Sequence, residues 1–239
     1  MHLMVLGPWP LEPTGFRIGT GRHSREAPTL VTQAFSMQSL QVVPDKAALR
    51  RSLRQKRAAL DETSRRTASL QVMLRVRSLR LFRRGSNVAI YVPMGSELST
   101  WPLIFLAIKT GCRVFLPETP KPGRGRRLRF VRLDENSRWA SGAFGIPVPV
   151  HKHYCAARDL DIVFLPLLGF DENLGRLGQG GGYYDTTFHF RRMRKHWLKP
   201  RLVGLAYECQ KVAVLPLERW DLRLDQVFTE SHKYNARST

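Results

Sequence analysis

The sequence predicts an α/β fold: an open, Rossmann-like and mostly parallel sheet with helices on both faces, in a single domain. Two observations support this prediction. Short apolar runs typical of buried strands alternate along the chain with segments of helical period. The chain has 239 residues, of which 43% are hydrophobic and 24% are charged, and this suits one globular domain. Since no apolar stretch approaches the roughly 20 residues of a membrane span, we expect no membrane association.

Two helices rich in basic residues come first. Asp45 is suited to cap a helix that begins at Lys46, and a second helix is predicted over 62–82. Apolar residues recur at helical spacing and are expected to face inward, at Leu49, Leu53, Leu60, Val72, Val76 and Leu79. Basic residues at spacings of four, four and three stack on another face of the first helix, at Lys46, Arg50, Arg54 and Arg57.

The strands of the sheet follow these helices. A strand over 87–92, a helix over 99–110 and a strand over 113–117 form a β-α-β unit. In a sheet of this kind, ligands bind beyond the carboxyl ends of the strands. Further strands are predicted over 128–133, 162–166, 202–207 and 225–230, and a further helix over 186–195.

Residues 1–40 differ from the rest of the chain, because proline, glycine and tryptophan occur there with no sustained period. We expect this segment to be a disordered leader, or upstream sequence that precedes a true start at Met37. The α/β domain is expected over 45–231 and a C-terminal tail over 232–239.

The charge of the chain is unusual. The formal net charge is +20, and the basic residues concentrate in two segments. Residues 46–84 contain 13 lysines and arginines against two acids, and residues 121–138 contain seven against two. Such a surface attracts polyanions, either a nucleic acid or a multiply charged small substrate. A solvated arginine-rich surface accounts for the charge equally well, since no nucleic-acid-binding motif accompanies it.

The cysteines indicate the compartment. Cys112, Cys155 and Cys209 are odd in number and widely spaced, which suits a reducing environment and suggests no disulfide framework. We therefore expect a cytoplasmic protein, and we expect it to be a monomer.

The segment RLGQGGGYYD, at 176–185, carries the strongest functional signal. It follows a buried strand and opens a helix, and four of the five residues from Gly178 to Gly182 are glycine. Glycines in such a place indicate positive φ angles or a close approach of the backbone to a ligand. Free backbone N–H groups there favour phosphate.

The side chains around this glycine-rich segment are suited to a nucleotide. Arg176 offers a charge-assisted hydrogen bond, and Asp185 offers oxygen ligands for Mg²⁺. Tyr183 and Tyr184 offer hydroxyl groups or a stacking surface. The segment is neither a dinucleotide fingerprint, since Tyr183 stands where the third glycine belongs, nor a Walker A loop. The alternative is a flexible turn whose aromatic residues pack into the core.

The longer segment FLPLLGFDENLGRLGQGGGYYD, at 164–185, resembles the signature of the 5-formyltetrahydrofolate cyclo-ligase family. That signature is an apolar strand, P-x-x-x-F-D, and then R-L-G-x-G-x-G-Y-Y-D. Other pieces resemble family segments in the family's order: KAALR at 46–50, YVPMGSELST at 91–100, FGIPVP at 144–149 and LPLERWDLRLDQVFTE at 215–230. The resemblance covers about residues 45–231.

The resemblance implies an ATP- and Mg²⁺-dependent conversion of 5-formyltetrahydrofolate, or of its polyglutamylated form, into 5,10-methenyltetrahydrofolate, with release of ADP and phosphate. The formyl oxygen attacks the γ-phosphate, and N10 of the folate then closes the ring as phosphate departs. Phosphoryl transfer of this kind depends mainly on positioning and on charge neutralisation.

The resemblance also implies roles for individual residues, with Tyr183, Tyr184 and Arg176 catalytic and Asp185 and Asp221 on the metal. The folate is expected at Val92, Glu97, Gly180, Gly181, Gly182 and Tyr183. ATP is expected at Lys46, Arg50, Arg176, Leu177, Gly178, Gln179, Gly180, Gly181, Gly182, Tyr183 and Tyr184.

Simpler interpretations stand beside three of these assignments. Arg54 and Arg57, on the same stripe as Lys46, are interpreted as a solvated basic face. Glu97 is alternatively a plain loop carboxylate. Asp221 is alternatively a helix cap or a partner of Arg219 or Arg223.

The chain departs from the family in the glycine-rich segment. Many members have R-G-K-G-Y-Y-D there, whereas this chain has Gln179-Gly180-Gly181-Gly182. Either another basic group replaces the missing lysine, or this branch uses a different arrangement. Two alternative functions follow: a relative that binds ATP or folate without turnover, and a basic RNA-associated protein, which the charge alone supports.

Overall fold

The structure is a computed structural model that describes residues 45–133, 138–150, 153–193 and 199–235. The predicted leader lies outside the described residues. No helix in the described part of the chain is long and apolar enough to cross a lipid bilayer. The helices are α1 (Lys46–Ala58), α2 (Glu62–Ser78), α3 (Trp101–Lys109) and α4 (Tyr183–Thr187). The strands are β1 (Asn87–Ile90), β2 (Arg113–Glu118), β3 (Arg129–Leu133), β4 (Trp139–Ser141), β5 (Pro147–Pro149), β6 (Tyr154–Cys155), β7 (Ile162–Pro166), β8 (Gly169–Phe170), β9 (Arg176–Leu177), β10 (Arg201–Leu205), β11 (Gln226–Phe228) and β12 (Lys233–Asn235).

One mixed, mostly parallel sheet organises the molecule, as predicted. Its strand order is β12-β11-β10-β7-β1-β2-β3-β6. The five middle strands, from β11 to β2, are parallel, and antiparallel strands flank them on both sides. Two small hairpins, β4-β5 and β8-β9, lie outside this sheet.

The two faces of the sheet are covered differently. On one face, α2 and α3 bury the side chains of strand residues such as Val88, Ile90 and Phe164. On the other face, the segment from α4 onward and the 215–224 region bury residues such as Val163 and Phe188. Helical segments therefore lie on both faces, and α1 packs separately through a cluster around Leu53.

The first two helices begin where their caps predict. The Asp45 carboxylate accepts hydrogen bonds from the amides of Ala47 and Ala48, and Asp61 caps α2 through the amide of Ser64. The prediction that α2 reaches residue 82 with Leu79 inward was wrong. The helix ends at Ser78, and Leu79 is 40% exposed because the chain turns away there, with Arg80 at a φ of 48°.

Tertiary contacts shorten two other predicted elements. Strand β1 ends at Ile90 because the next carbonyl, that of Tyr91, accepts the Thr100 hydroxyl instead of a strand amide. The helix predicted over 186–195 begins earlier, at Tyr183, and ends at Thr187, and a 3-10 turn, His189–Met193, follows. Phe188, the residue after α4, is buried against Phe130, and this tertiary packing outweighs the helix propensity of the residues that follow.

The carboxyl-terminal boundary also lies later than expected. Residues Lys233–Asn235, placed by the sequence in a tail over 232–239, form β12 and pair antiparallel with β11. Residues 236–239 are not among the described residues. The sheet thus continues beyond residue 231, where the domain was expected to end.

Candidate active site

A cavity of about 1150 Å³ opens at the carboxyl ends of the central strands. Strands β1 and β7 are neighbours there, yet the chain leaves β1 towards β2 on one side and leaves β7 towards β10 on the other. Such a reversal of strand order creates the crevice in which α/β sheets bind ligands. The cavity lining includes every residue that the sequence singles out for a site: Lys46, Arg50, Val92, Glu97, Arg176, Leu177, Gly178, Gln179, Gly180, Gly181, Gly182, Tyr183, Tyr184, Asp185 and Asp221.

The hairpin β8-β9 delivers the glycine-rich segment to this cavity. Its turn is organised by Asp171, a buried residue whose carboxylate accepts hydrogen bonds from the amides of Asn173, Gly175 and Leu215. The chain then passes through β9 and the glycines into α4. The sequence places a strand directly before the segment, and the hairpin is an addition to that prediction.

The glycines of residues 178–182 are required for two different reasons. Gly180 and Gly182 have φ angles of +106° and +67°, which side chains rarely adopt. At Gly178 and Gly181 the neighbours are too close: a Cβ atom would lie 2.8 Å from Arg176 Nη1 and 2.7 Å from Tyr183 Cε2, respectively. The glycines are therefore required by the backbone conformation and by close neighbours, and Tyr183 and Tyr184 after them pack against a core cluster, as the alternative interpretation expects of the aromatic residues.

The basic stripe of α1 runs along the glycine-rich segment. Lys46 Nζ lies 2.8 Å from Asp221 Oδ2, and Arg50 Nε donates to the Gly178 carbonyl at 3.0 Å. Arg54 Nη2 donates to the side-chain oxygen of Gln179 at 3.0 Å. The spacing of four residues thus brings Arg50 and Arg54 against the glycine-rich segment, while Lys46 contacts Asp221 in another part of the cavity wall.

Asp185 is paired with Arg176 on the inner wall of the cavity. Arg176 Nη2 lies 2.8 Å from Asp185 Oδ1, and the same oxygen accepts the Leu222 amide at 3.1 Å. Burial by itself raises the pKa of Asp185. The Arg176 charge and the hydrogen bonds outweigh burial, so the pKa lies below its ordinary value and the carboxylate stays ionised.

The two cavity aspartates offer carboxylate oxygens, the kind of ligand that Mg²⁺ prefers. Asp185 Oδ2 and Asp221 Oδ1 have no hydrogen-bond partner among the described residues. The described residues contain no group of three or more His, Cys, Asp and Glu side chains that could hold a metal alone. Mg²⁺ is commonly bound by one or two carboxylates together with substrate phosphates and water. Asp221 pairs with Lys46, whereas the sequence analysis offered Arg219 or Arg223 as its alternative partner.

Glu97 lies on the opposite wall, where the turn after β1 leads into α3. Its carboxylate accepts the Met94 amide at 3.1 Å and the Gln179 side-chain amide at 3.3 Å. Burial raises its pKa, while the Met94 amide, Arg57 and Gln179 act in the opposite direction. Glu97 is thus a partly desolvated acceptor that faces the cavity.

The interpretation of Arg57 as solvated was wrong. Arg57 is only 5% exposed, and its Nε donates to the Ser96 hydroxyl at 3.0 Å, directly behind Glu97. The local spacing of a basic stripe on a helix suggests solvent exposure, but it does not show which other segments pack against that stripe. Arg54, in contrast, is exposed, although it bonds Gln179.

The two tyrosines occupy the floor of the cavity. Both are half-buried, and neither hydroxyl has a hydrogen-bond partner among the described residues. Tyr184 stacks on Phe188 with ring centroids 6.5 Å apart, and its pKa is raised by burial and then by the Glu97 charge, with Arg176 opposing. The Tyr184 hydroxyl therefore stays protonated and acts as a hydrogen-bond donor.

Sequence reasoning did not assign several residues of the cavity wall, among them Arg126 and Phe144. Arg126 comes from the loop between β2 and β3, which the sequence marks only as basic and glycine-rich. Phe144 is 68% exposed, has a φ of 58° and meets the Tyr183 ring edge-on at 6.3 Å. The available signal for Arg126 was its place after β2, whose carboxyl end lies at the same sheet edge as that of β1.

Comparison with known proteins identifies the family. The model of the 5-formyltetrahydrofolate cyclo-ligase family matches residues 42–230. The 5-formyltetrahydrofolate cyclo-ligase of Escherichia coli is 32% identical over 187 residues, covering 75% of this chain and 97% of that protein. The protein of the same name from Haemophilus influenzae is 33% identical over 180 residues, covering 74% and 92%.

Solved structures agree with this result. The NMR structure of the 5,10-methenyltetrahydrofolate synthetase of Aquifex aeolicus is 31% identical, with a TM-score of 0.68, and covers 81% of this chain and 94% of that one. A synthetase of the same name from Mycoplasma pneumoniae, at 23% identity and a TM-score of 0.62, shares the fold. By sequence, by structure and by the extent of both matches, this chain belongs to the 5-formyltetrahydrofolate cyclo-ligase family.

Proposed function

We propose that the chain is a ligase that uses ATP and Mg²⁺ to convert 5-formyltetrahydrofolate into 5,10-methenyltetrahydrofolate, with release of ADP and phosphate. One observation carries the proposal. All the residues that the family resemblance assigns to nucleotide, folate and metal line a single cavity at the strand-order reversal. This arrangement lets two substrates meet on one turn of backbone, as phosphoryl transfer between them requires.

The nucleotide side of the cavity is formed by α1 and the glycine-rich segment. The left-handed backbone at Gly180 and Gly182 lets the turn approach a phosphate without a side chain in between. Lys46, Arg50 and Arg176 provide positive charge around it. We propose that these groups hold the phosphates of ATP.

The folate side is formed by the turn after β1. The partly desolvated Glu97 carboxylate is suited to accept hydrogen bonds from the N–H groups of a pterin ring, and the buried Val92 offers an apolar wall beside it. We propose that this pair orients the folate so that its formyl oxygen faces the glycine-rich segment.

The metal would be held by the free oxygens of Asp185 and Asp221. When bound, Mg²⁺ supplies neutralisation of phosphate charge. Arg176 keeps Asp185 ionised at neutral pH and fixes the orientation of its carboxylate. Lys46 fixes the orientation of the Asp221 carboxylate.

The reaction requires hydrogen-bond donors at the cavity floor. As the formyl oxygen attacks the γ-phosphorus and ADP leaves, charge develops on the phosphoryl oxygens; N10 then attacks the activated carbon and phosphate departs. We propose that the Tyr184 hydroxyl, a donor that stays protonated, and the Tyr183 hydroxyl bond these oxygens and hold the formyl group in line.

The test is direct. Purified protein is mixed with 5-formyltetrahydrofolate, ATP and Mg²⁺, and the near-ultraviolet absorbance of the methenyl product is followed, with controls that omit ATP or protein. We expect an absorbance rise that requires ATP. A folded protein that binds ATP or folate without turnover would instead be a regulatory relative. No binding of either, with salt-sensitive RNA binding, would establish the polyanion-binding alternative.

We also propose that the protein is cytoplasmic and monomeric. The support for the first is indirect: all three cysteines are free and half-buried, as suits a reducing compartment. The second is tested by measuring the mass of the protein in solution at micromolar concentration.

A further inference from the structure

We propose that Arg126, from the loop between β2 and β3, binds the nucleotide phosphates at the glycine-rich segment and neutralises the charge that develops as the phosphoryl group is transferred. The inference rests on the proposed function for the nature of the reaction. It adds a phosphate-binding residue that lies outside both α1 and the glycine-rich segment.

The positive charges of the cavity are unevenly available to a ligand. The three cations that the sequence analysis singled out already have partners within the protein. Lys46 is paired with Asp221 and Arg176 with Asp185, each at 2.8 Å, and Arg50 donates to the Gly178 carbonyl. Two of these three charges are therefore balanced by carboxylates. A triphosphate needs cations that are not already neutralised.

Arg126 is such a cation. It lines the cavity, it is exposed, and it has no hydrogen-bond or ion-pair partner among the described residues. A Cβ atom placed on Gly182 would lie 3.5 Å from Arg126 Nη1 and 3.9 Å from its Cδ. The guanidinium group thus lies against the backbone of the turn, with its donors unused.

The turn itself carries no cationic side chain. Its residues are Gly178, Gln179, Gly180, Gly181 and Gly182, and a longer side chain at 181 would meet the Tyr183 ring. Positive charge over the turn must therefore come from another element. A Cβ atom at 182 would be in ordinary van der Waals contact with Arg126, so the guanidinium lies directly beside the backbone of the turn.

The backbone close to Arg126 is held to the cavity floor by hydrogen bonds. Two residues further on, the Leu128 amide donates to the Thr187 hydroxyl at 2.9 Å, and that hydroxyl donates to the Tyr183 carbonyl at 2.6 Å. Leu128 is also buried. This chain of hydrogen bonds fixes the end of the β2–β3 loop, two residues after Arg126, relative to Tyr183.

The test compares Arg126→Gln with Arg124→Gln in the full chain. Arg124 lies in the same loop and is exposed, but it does not line the cavity, so its variant controls for loss of one positive charge. For Arg126→Gln we expect kcat/KM for ATP to fall by about 10²-fold, with KM for the folate unchanged. Arg126→Lys keeps the charge without the forked donors and should lie between wild type and Arg126→Gln. Arg124→Gln should match wild type.

A second measurement needs no turnover. ATP with Mg²⁺ should raise the melting temperature of wild type and Arg124→Gln more than that of Arg126→Gln, while the three proteins melt alike without ligand. Wild-type kinetics in Arg126→Gln would overturn the proposal. An effect confined to KM for the folate would also overturn it, because Arg126 would then bind the folate carboxylates. If wild type itself shows no turnover, the proposed function fails, and the melting shift still decides whether Arg126 binds the nucleotide.

Discussion

At the scale of single residues, the cavity is built from ion pairs in which one partner faces the ligand. Asp185 accepts from Arg176 and from the Leu222 amide, and Asp225, outside the cavity, accepts from Arg191 and from the Leu202 amide. Both arginine side chains are largely buried. The two aspartates therefore make the same kind of structural link, and only one of them faces the cavity.

This symmetry gives a controlled test of the metal assignment. Asp185→Asn should lower turnover by about 10²-fold, because a carboxylate that neutralises phosphate-bound Mg²⁺ is replaced by a neutral amide. Asp225→Asn should lower the melting temperature in a similar way and leave turnover at saturating substrate unchanged. Turnover and melting are measured on both variants across a range of Mg²⁺ concentrations. Equal activity of the two variants would remove Asp185 from the metal site.

Arg57 acts on Glu97, on the side of the cavity where we propose that the folate binds. Burial raises the pKa of Glu97 and the Arg57 charge lowers it, so the carboxylate ionises at a lower pH than it would without Arg57. Tyr91 and Tyr184 also face Glu97, but their raised pKa values keep both hydroxyl groups neutral in this range.

We expect Arg57→Met to shift the acidic limb of kcat/KM for the folate to higher pH. The sign follows from the charge: without the cation, Glu97 has a higher pKa and needs a higher pH to become the acceptor. Arg51→Met, which removes an exposed charge from the same helix, should leave the limb in place. The pH profile is measured for both variants after their melting temperatures have been checked. Identical profiles would show that Glu97 does not depend on Arg57.

At the scale of elements, α1 is the part that the sequence predicted best. Its cap, its start and its basic stripe are all local features, readable from Asp45 and from the spacing of Lys46 and Arg50. The buried end of that stripe, at Arg57, was not readable, because burial there depends on Ser96, which lies 39 residues away in the chain. The antiparallel placement of β3 was likewise beyond a local pattern, since strand partners are set by long-range packing.

The cap of α1 should therefore influence the nucleotide. Asp45→Ala removes the acceptor for the amides of Ala47 and Ala48, and this loosens the turn that carries Lys46. We expect KM for ATP to rise while kcat changes little. Asp61→Ala, which uncaps α2 away from the cavity, is the matched control and should leave KM for ATP unchanged. Parallel behaviour of the two variants in steady-state kinetics would show that the first turn of α1 has no special role.

At the scale of the whole molecule, the order of the family segments along the chain predicted the site residues. The alternation of strand-like and helical segments predicted the fold class. The fifteen residues named from the sequence lie in one cavity because the family segments end at the same edge of the sheet. Arg126 was not predictable in this way, since its place depends on how a loop closes over the glycines. The net charge of +20 exceeds what two polyanionic substrates require, and nothing in the structure explains the excess.

Deletion of residues 1–36 should leave kcat, KM and the melting temperature unchanged. The family model begins at residue 42, and every residue assigned to the site lies after Asp45. The truncated and full-length proteins are compared in the absorbance assay and by thermal melting. A truncated protein that is soluble and folded but inactive would show that the leader takes part in function.

The position of the Gln179 side chain bears on how the binding of one substrate changes the affinity for the other. One end of its side chain accepts from Arg54 on the nucleotide side, and the other end donates to Glu97 on the folate side. A ligand that takes the place of this amide at Glu97 would release the Gln179 side chain and alter its contact with Arg54 of α1. Thermodynamic linkage is reciprocal, so whatever factor ATP applies to the affinity for folate, folate applies to the affinity for ATP. We expect any synergy or antagonism of the two substrates to depend in part on this one amide group.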